Sequence, residues 1–197
     1  MRTPGRRTTP EEVPEHLAGD PEPDPEEVAR AIVLRQLTAA PKSRRQLEEK
    51  LAARNVPEEV AAAVLDRFEE VQLVDDSAFA QMWVRSRQRS RGLARGALRR
   101  ELQQKGITGD QAEAALEEVT EDQEREAARE LIHRKLRGRP VPAGDSPEDR
   151  TERDKHVRRL AGMLARKGYP PGMALGLVRE ELDAQGQGED LDEDGGL

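Results

Sequence analysis

The 197-residue chain contains no cysteine, which excludes disulfides, thiolate nucleophiles and cysteine-based zinc or iron–sulfur sites. Aromatics are nearly missing too: one Trp, one Tyr and two Phe make up 2% of the sequence. So few rings supply no set of platforms for stacking single-stranded bases. The β-branched and aromatic residues that strands favour are scarce. No stretch approaches the roughly 18 consecutive apolar residues that span a bilayer. The N-terminus, MRTPGRRTTPEEVPEHLAGD, lacks the apolar run of a secretion signal. These absences predict a cytoplasmic chain without membrane association. Histidine is sparse as well, with His16, His133 and His156 scattered along the chain. No nucleophile–base pair is evident, and neither RGLARG nor AGDSPED has the glycine spacing of a P-loop or dinucleotide fingerprint. No catalytic residue, cofactor site or metal site is expected, and no enzymatic activity.

What the chain has in abundance is charge, at 37% of residues against 35% hydrophobic ones. Ala, Leu, Glu, Arg and Gln dominate, and all are good helix formers. An all-α protein of narrow helical layers follows, rather than one thick core. The net charge is -7, but it is unevenly spread. From Glu11 to Glu27 there are eight acids and no Lys or Arg, and the same holds from Glu180 to Asp194. From Arg85 to Lys105 there are eight bases (Arg85, Arg87, Arg89, Arg91, Arg95, Arg99, Arg100 and Lys105) against the single acid Glu101. Like-charge blocks near chain ends usually form solvated tails. Residues 1–24 and 187–197 are therefore expected to be disordered acidic tails around a basic middle.

Between the tails one pattern occurs three times, in LEEKLAARNV (47–56), LRRELQQKGI (98–107) and LAGMLARKGY (160–169). Each has Leu, a second Leu four later, then Asn or Gly four after that, then a hydrophobe. Leucines four apart share a helix face. Gly or Asn then takes the left-handed conformation that stops a helix, and the hydrophobe folds back on its last turn. Starter residues follow each stop: Pro57 with two glutamates, Thr108 with Gln111 in the spacing of a capping box, and Pro170–Pro171. A further helical stretch precedes each copy. The expected architecture is three tandem three-helix repeats, 25–74, 75–120 and 121–186, forming an elongated, curved array. An insertion at 137–150 lengthens the third repeat.

The basic stretch falls in the central repeat. Helical spacing puts Phe79, Met82, Trp83, Ser86 and Ser90 on one face, with Arg85 and Arg89 on one flank and Arg87 and Arg91 on the other. After Gly92, Ala94, Leu98 and Leu102 point inward, while Arg95, Arg99 and Gln103 form an outward row. Asp75 and Asp76 read as a helix N-cap rather than a metal site, and Trp83 as core filler. Two readings of the arginines stand open: a solvated face with glutamate partners, or a surface for an anionic ligand. Arginine outnumbers lysine 27 to 6, and its planar fork suits carboxylate and phosphate alike.

Residues 71–107, VQLVDDSAFAQMWVRSRQRSRGLARGALRRELQQKGI, resemble the RecX family of bacterial recombination regulators. The resemblance lies in Asp75–Asp76, Phe79–Ala80, Arg85-Ser-Arg87, Gly92, and Leu98-Arg-Arg-Glu-Leu102 closing on Lys105-Gly-Ile107. The first repeat adds Ser43-Arg-Arg-Gln-Leu47 and Lys50–Leu51, and the resemblance extends over about 28–182. It implies a monomeric chain of three-helix units that binds the RecA–single-stranded DNA filament and suppresses RecA's ATPase, recombinase and co-protease activities. It further implies that Arg85, Arg87, Arg95, Arg99 and Lys105, which match the family's basic motif, contact RecA carboxylates or DNA phosphates, and Arg89, Arg91 and Arg100 of the same basic stretch are expected to join them. The alternative is a helical DNA-binding protein acting without RecA. Leu93 stands where many relatives have proline, so a looser turn is expected there.

Overall fold

Short polar side chains start most of the helices in the computed structural model, which describes residues 24–192 apart from 139, 140, 143 and 145. Asp24, Ser43, Asp75, Thr120 and Ser146 each accept a backbone N–H of the first turn they precede, replacing a bond the helix lacks there. The helices are α1 (Pro25–Ala39), α2 (Arg44–Ala52), α3 (Glu58–Glu70), α4 (Asp76–Arg91), α5 (Arg95–Gln104), α6 (Gly109–Glu117), α7 (Glu121–Leu136), α8 (Pro147–Arg166) and α9 (Pro171–Asp192). There is no strand among the described residues, and no helix there is long and apolar enough to cross a membrane. The fold is an all-α helical array.

The repeated pattern has one structural meaning in all three copies. Leu47, Leu51, Leu98, Leu102, Leu160 and Leu164 are at most 1% exposed. Asn55, Gly106 and Gly168 then take positive φ. The next residue's N–H closes the turn on the second leucine's carbonyl: Val56 on Leu51 (3.2 Å), Ile107 on Leu102 (3.0 Å) and Tyr169 on Leu164 (3.2 Å). Each helix triplet buries its own apolar cluster. Leu47, Leu51, Leu65 and Phe68 anchor the first. Phe79, Val84, Leu98 and Leu116 anchor the second, and Ile132, Leu160, Leu164 and Val178 the third.

Several expectations need correction. Thr108 precedes α6 without a side-chain capping bond; Gly109 at φ 59° carries the turn, and the capping boxes belong to Ser43 and Thr120. The third repeat's insertion ends early, because Ser146 caps and Pro147 opens α8. Of its remainder, Val141 is 2% exposed within the third cluster. Asp24 belongs to the fold as the α1 cap, and residues 1–23 lie outside the described ones. α9 continues through Gly186 and Gly188 to Asp192, past the expected start of the acidic tail at 187; residues 193–197 lie outside the described ones. On α4 the buried residues are Phe79, Ala80 and Val84, with Trp83 half-buried, whereas Met82, Ser86 and Ser90 are exposed. Small Ala80 and branched Val84 fit against α6, so the face is rotated from the one the large side chains suggest.

The same joint connects successive repeats. The N–H of Arg44, first residue of α2, donates to Asp76 Oδ1 at 2.8 Å. The N–H of Arg95, first residue of α5, donates to Glu124 Oε1 at 2.6 Å. Both acceptors stand four residues before the fully buried Ala80 and Ala128. The residue just before each helix reaches the lysine carbonyl of the next repeat's Lys–Gly stop: Ser43 Oγ to Lys105 O (2.7 Å) and Ala94 N to Lys167 O (3.0 Å). Thus the middle helices of the first two repeats, α2 and α5, plant their N-termini on the next repeat, where a carboxylate meets the positive end. The turn at Gly92–Leu93 is tied rather than loose. Tyr169 donates its hydroxyl proton to Gly92 O at 3.2 Å, and the Lys167 ammonium donates to Arg91 O.

Candidate partner-binding interface

The two halves of the basic stretch, α4 and α5, meet around Trp83. Its indole stacks on Phe79 with centroids 5.7 Å apart and donates Nε1–H to Glu101 Oε2 at 2.8 Å. Trp83 is therefore part of the second cluster while its polar edge reaches the surface. The Arg87 guanidinium lies 4.1 Å from the ring centroid and the Lys105 ammonium 4.8 Å, both within cation–π reach. Arg87 Nε is also 3.1 Å from Glu101 Oε2, and Arg91 is 3.9 Å from Glu101 Oε1. The one acid of the stretch thus gathers an indole N–H and two guanidinium groups.

The remaining bases divide. Arg85 grips Glu118 through both Nε and Nη2 at 2.8 and 2.9 Å. Arg99 grips Glu113 the same way, at 2.7 Å for each bond. These hydrogen bonds hold the Glu118 and Glu113 carboxyls below their ordinary range and raise both arginines. Arg89, Arg95, Arg100 and Lys105 have no carboxylate within ion-pair distance among the described residues. Half of the stretch is therefore paired, by glutamates of α5 and α6 and of the turn after α6, and half has no carboxylate partner among the described residues. The expected rails persist: Arg85 and Arg89 line a groove of about 520 Å³ against α7, while Arg87 and Arg91 turn to Glu101.

The sequence pattern missed the packing of Arg45, which pairs with Glu49 at 3.3 Å on its own helix and lies against the second repeat at Gly106. Gly106 makes room for it, because a Cβ there would lie 2.6 Å from the Arg45 Cβ. The missed signal was Gly106 itself, read only as a helix stop. Arg44, its neighbour, is structural. Burial disfavours its charge, yet the hydrogen bonds it donates to Asp66, Glu48 and Glu69 outweigh that and raise its pKa. Among the histidines, His133 contacts Glu181 and His156 is buried; His16 lies outside the described residues. No cluster of three potential metal ligands occurs among the described residues.

Comparison with known proteins agrees on one lineage. Residues 29–68 match the family profile "RecX, first three-helix domain" and residues 75–116 match "RecX, second three-helix domain". The chain is 53% identical over 169 residues to "Regulatory protein RecX" of Streptomyces coelicolor, covering 86% of this chain and 85% of that protein. The protein of the same name from Thermobifida fusca is 50% identical over 161 residues, covering 80% of each. Among solved structures, RecX from Lactobacillus salivarius superposes with a TM-score of 0.67 at 21% identity, covering 82% of this chain and 98% of that one. A second crystal structure of regulatory protein RecX gives 0.61 at 24% identity, covering 76% and 70%. At that identity the two structures speak to the fold.

Proposed function

Since the chain belongs to the RecX family, we propose that it regulates the recombinase RecA by binding the RecA–single-stranded DNA filament. Family membership over most of the chain is the observation that carries this reading. Binding inhibits RecA's ATPase, recombinase and co-protease activities, by blocking filament extension or by promoting disassembly. The cations of α4 and α5 without an internal carboxylate, Arg89, Arg95, Arg100 and Lys105, supply the anion-seeking contacts. Arg85, Arg87, Arg91 and Arg99 are held in fixed orientations by their glutamates and add to the same positive surface. The joints between repeats fix the spacing at which these groups are presented, so contacts from different repeats are made together rather than one at a time.

The test is RecA's single-stranded-DNA-dependent ATPase, titrated with this protein, beside a RecA-free measurement of its DNA binding. Inhibition without sequestration of DNA supports the reading. Inhibition well below one chain per RecA points to capping of filament ends, and near-stoichiometric inhibition to coating. No inhibition together with tight binding to bare DNA favours a DNA-binding protein acting without RecA, with an affinity that falls steeply as salt rises.

A further inference from the structure

The loop from α3 to α4 spends backbone strain to hold a leucine outside. Gln72 sits at φ +58°, a region where a side chain is at a disadvantage and glycine is at ease. The N–H groups of Leu73 and Val74 both turn onto Phe68 O, at 2.9 and 3.2 Å. Val74 enters the first cluster at 2% exposed, while Leu73 is left 55% exposed. Met82, two turns into α4, is 39% exposed. Leu73 and Met82 both line a groove of about 300 Å³, together with Leu37, Pro41 and Phe79. It lies where the first and second repeats join. Leu34, one turn before Leu37 on α1 and 46% exposed, extends the apolar surface.

The rim carries one base and one acid. Lys42 lines the groove and has no carboxylate within ion-pair distance among the described residues. The Phe79 ring on the floor stacks on Trp83, and Lys105 lies over that indole, one ring away from the groove. The acid at the rim, Asp75, is committed to capping α4 through the Ala78 N–H. We infer that this groove is a protein-docking seat, which takes an apolar side chain of a partner protein segment bearing carboxylates beside it. Nucleic acid fits poorly: a phosphate meets carbon walls, and Phe79, 5% exposed, offers no free ring for a base. The inference rests on the reading proposed above, and assigns the seat to the protein of the filament rather than to its DNA.

The test uses the end-labelled full chain and the Leu73→Ser/Met82→Ser variant, titrated by anisotropy against RecA filaments on oligo-dT and against bare oligo-dT. Both side chains are exposed, so unfolding should match wild type. Filament affinity is expected to fall about tenfold or more, from the apolar burial lost, with binding to bare oligo-dT unchanged. The single variant Met82→Leu should keep wild-type affinity, because it retains an apolar side chain of similar volume. Equal filament binding by the double variant, with wild type binding normally, overturns the seat alone. An equal loss on bare DNA also overturns it, by making the groove a nucleic-acid contact. Failure of wild type to bind the filament overturns the proposed function and the seat with it.

Discussion

Alanine at Gly96 sets two physical rules against each other at the joint between the second and third repeats. Gly96 is the second residue of α5. By helix propensity alone, Gly→Ala stabilises by roughly 0.8–1.0 kcal/mol. The structure reverses the sign, because a Cβ there would lie 2.6 Å from the Gly168 carbonyl oxygen. Ordinary carbon–oxygen contacts begin near about 3.3 Å, so α5 must move from the end of α8 by about 0.7 Å. That backbone cannot yield locally: Ala94 N–H holds Lys167 O at 3.0 Å, and Arg95 N–H holds Glu124 at 2.6 Å. Overpacking costs roughly 1–3 kcal/mol and a weakened hydrogen bond about 1 kcal/mol. After the propensity gain, a net loss of about 1–3 kcal/mol remains, or a melting temperature lower by roughly 2–12 °C for a chain of this size. Thermal unfolding followed by circular dichroism measures it. Gly176→Ala is the internal control, because nothing lies within 4 Å of a Cβ there; it should match or exceed wild type. A Gly96→Ala protein melting at or above wild type would refute the joint as described.

Leu98→Ala removes a fully buried anchor of the second cluster and should cost about 2–5 kcal/mol in urea unfolding; near-wild-type stability would contradict the shared leucine pattern. At the first joint, burial raises the Asp76 pKa above 3.8, even though the Arg44 N–H opposes the shift. A raised acid favours folding when protonated, and that contribution is lost as pH rises through the folded-state value. Asp76→Asn keeps an acceptor without the charge, so its stability relative to wild type should increase as pH rises above 3.8. Asp76→Ala orphans the Arg44 N–H and should lose about 1–2 kcal/mol at neutral pH. Urea midpoints of the two variants across pH check both statements.

The leucine spacing and the Gly or Asn stops made the repeats readable, because both are local: four-residue periodicity and one left-handed residue. The start of α8 was equally readable in Ser146–Pro147 followed by Glu148 and Asp149, yet the glycines and prolines just before it masked the signal. On α4, large Met82 and Trp83 drew the buried face toward themselves, whereas packing with α6 selected Ala80 and Val84. The joints were illegible for a different reason. Arg44 and Arg95 contribute backbone N–H groups there, so no side-chain pattern marks them. For the basic stretch, the reading of a face with glutamate partners holds for half of the bases. Glu113 and Glu118, distant in sequence, neutralise Arg99 and Arg85, a pairing that only the packing of α6 on α4 and α5 creates. Arg89, Arg95, Arg100 and Lys105 keep the charge that the composition advertised.

The most direct test of the account is RecA's single-stranded-DNA-dependent ATPase, titrated side by side with wild type and with Arg95→Glu/Arg99→Glu. Arg99 is exposed and Arg95 partly so, and losing the exposed Arg99–Glu113 pair costs at most about 1 kcal/mol, so the variant should keep the helical circular dichroism of wild type at a slightly lower melting temperature. Wild type should inhibit, and the variant should leave the ATPase unaffected over the same concentrations. Equal inhibition by a folded variant would contradict the central claim, because regulation would then not pass through the basic face of the second repeat.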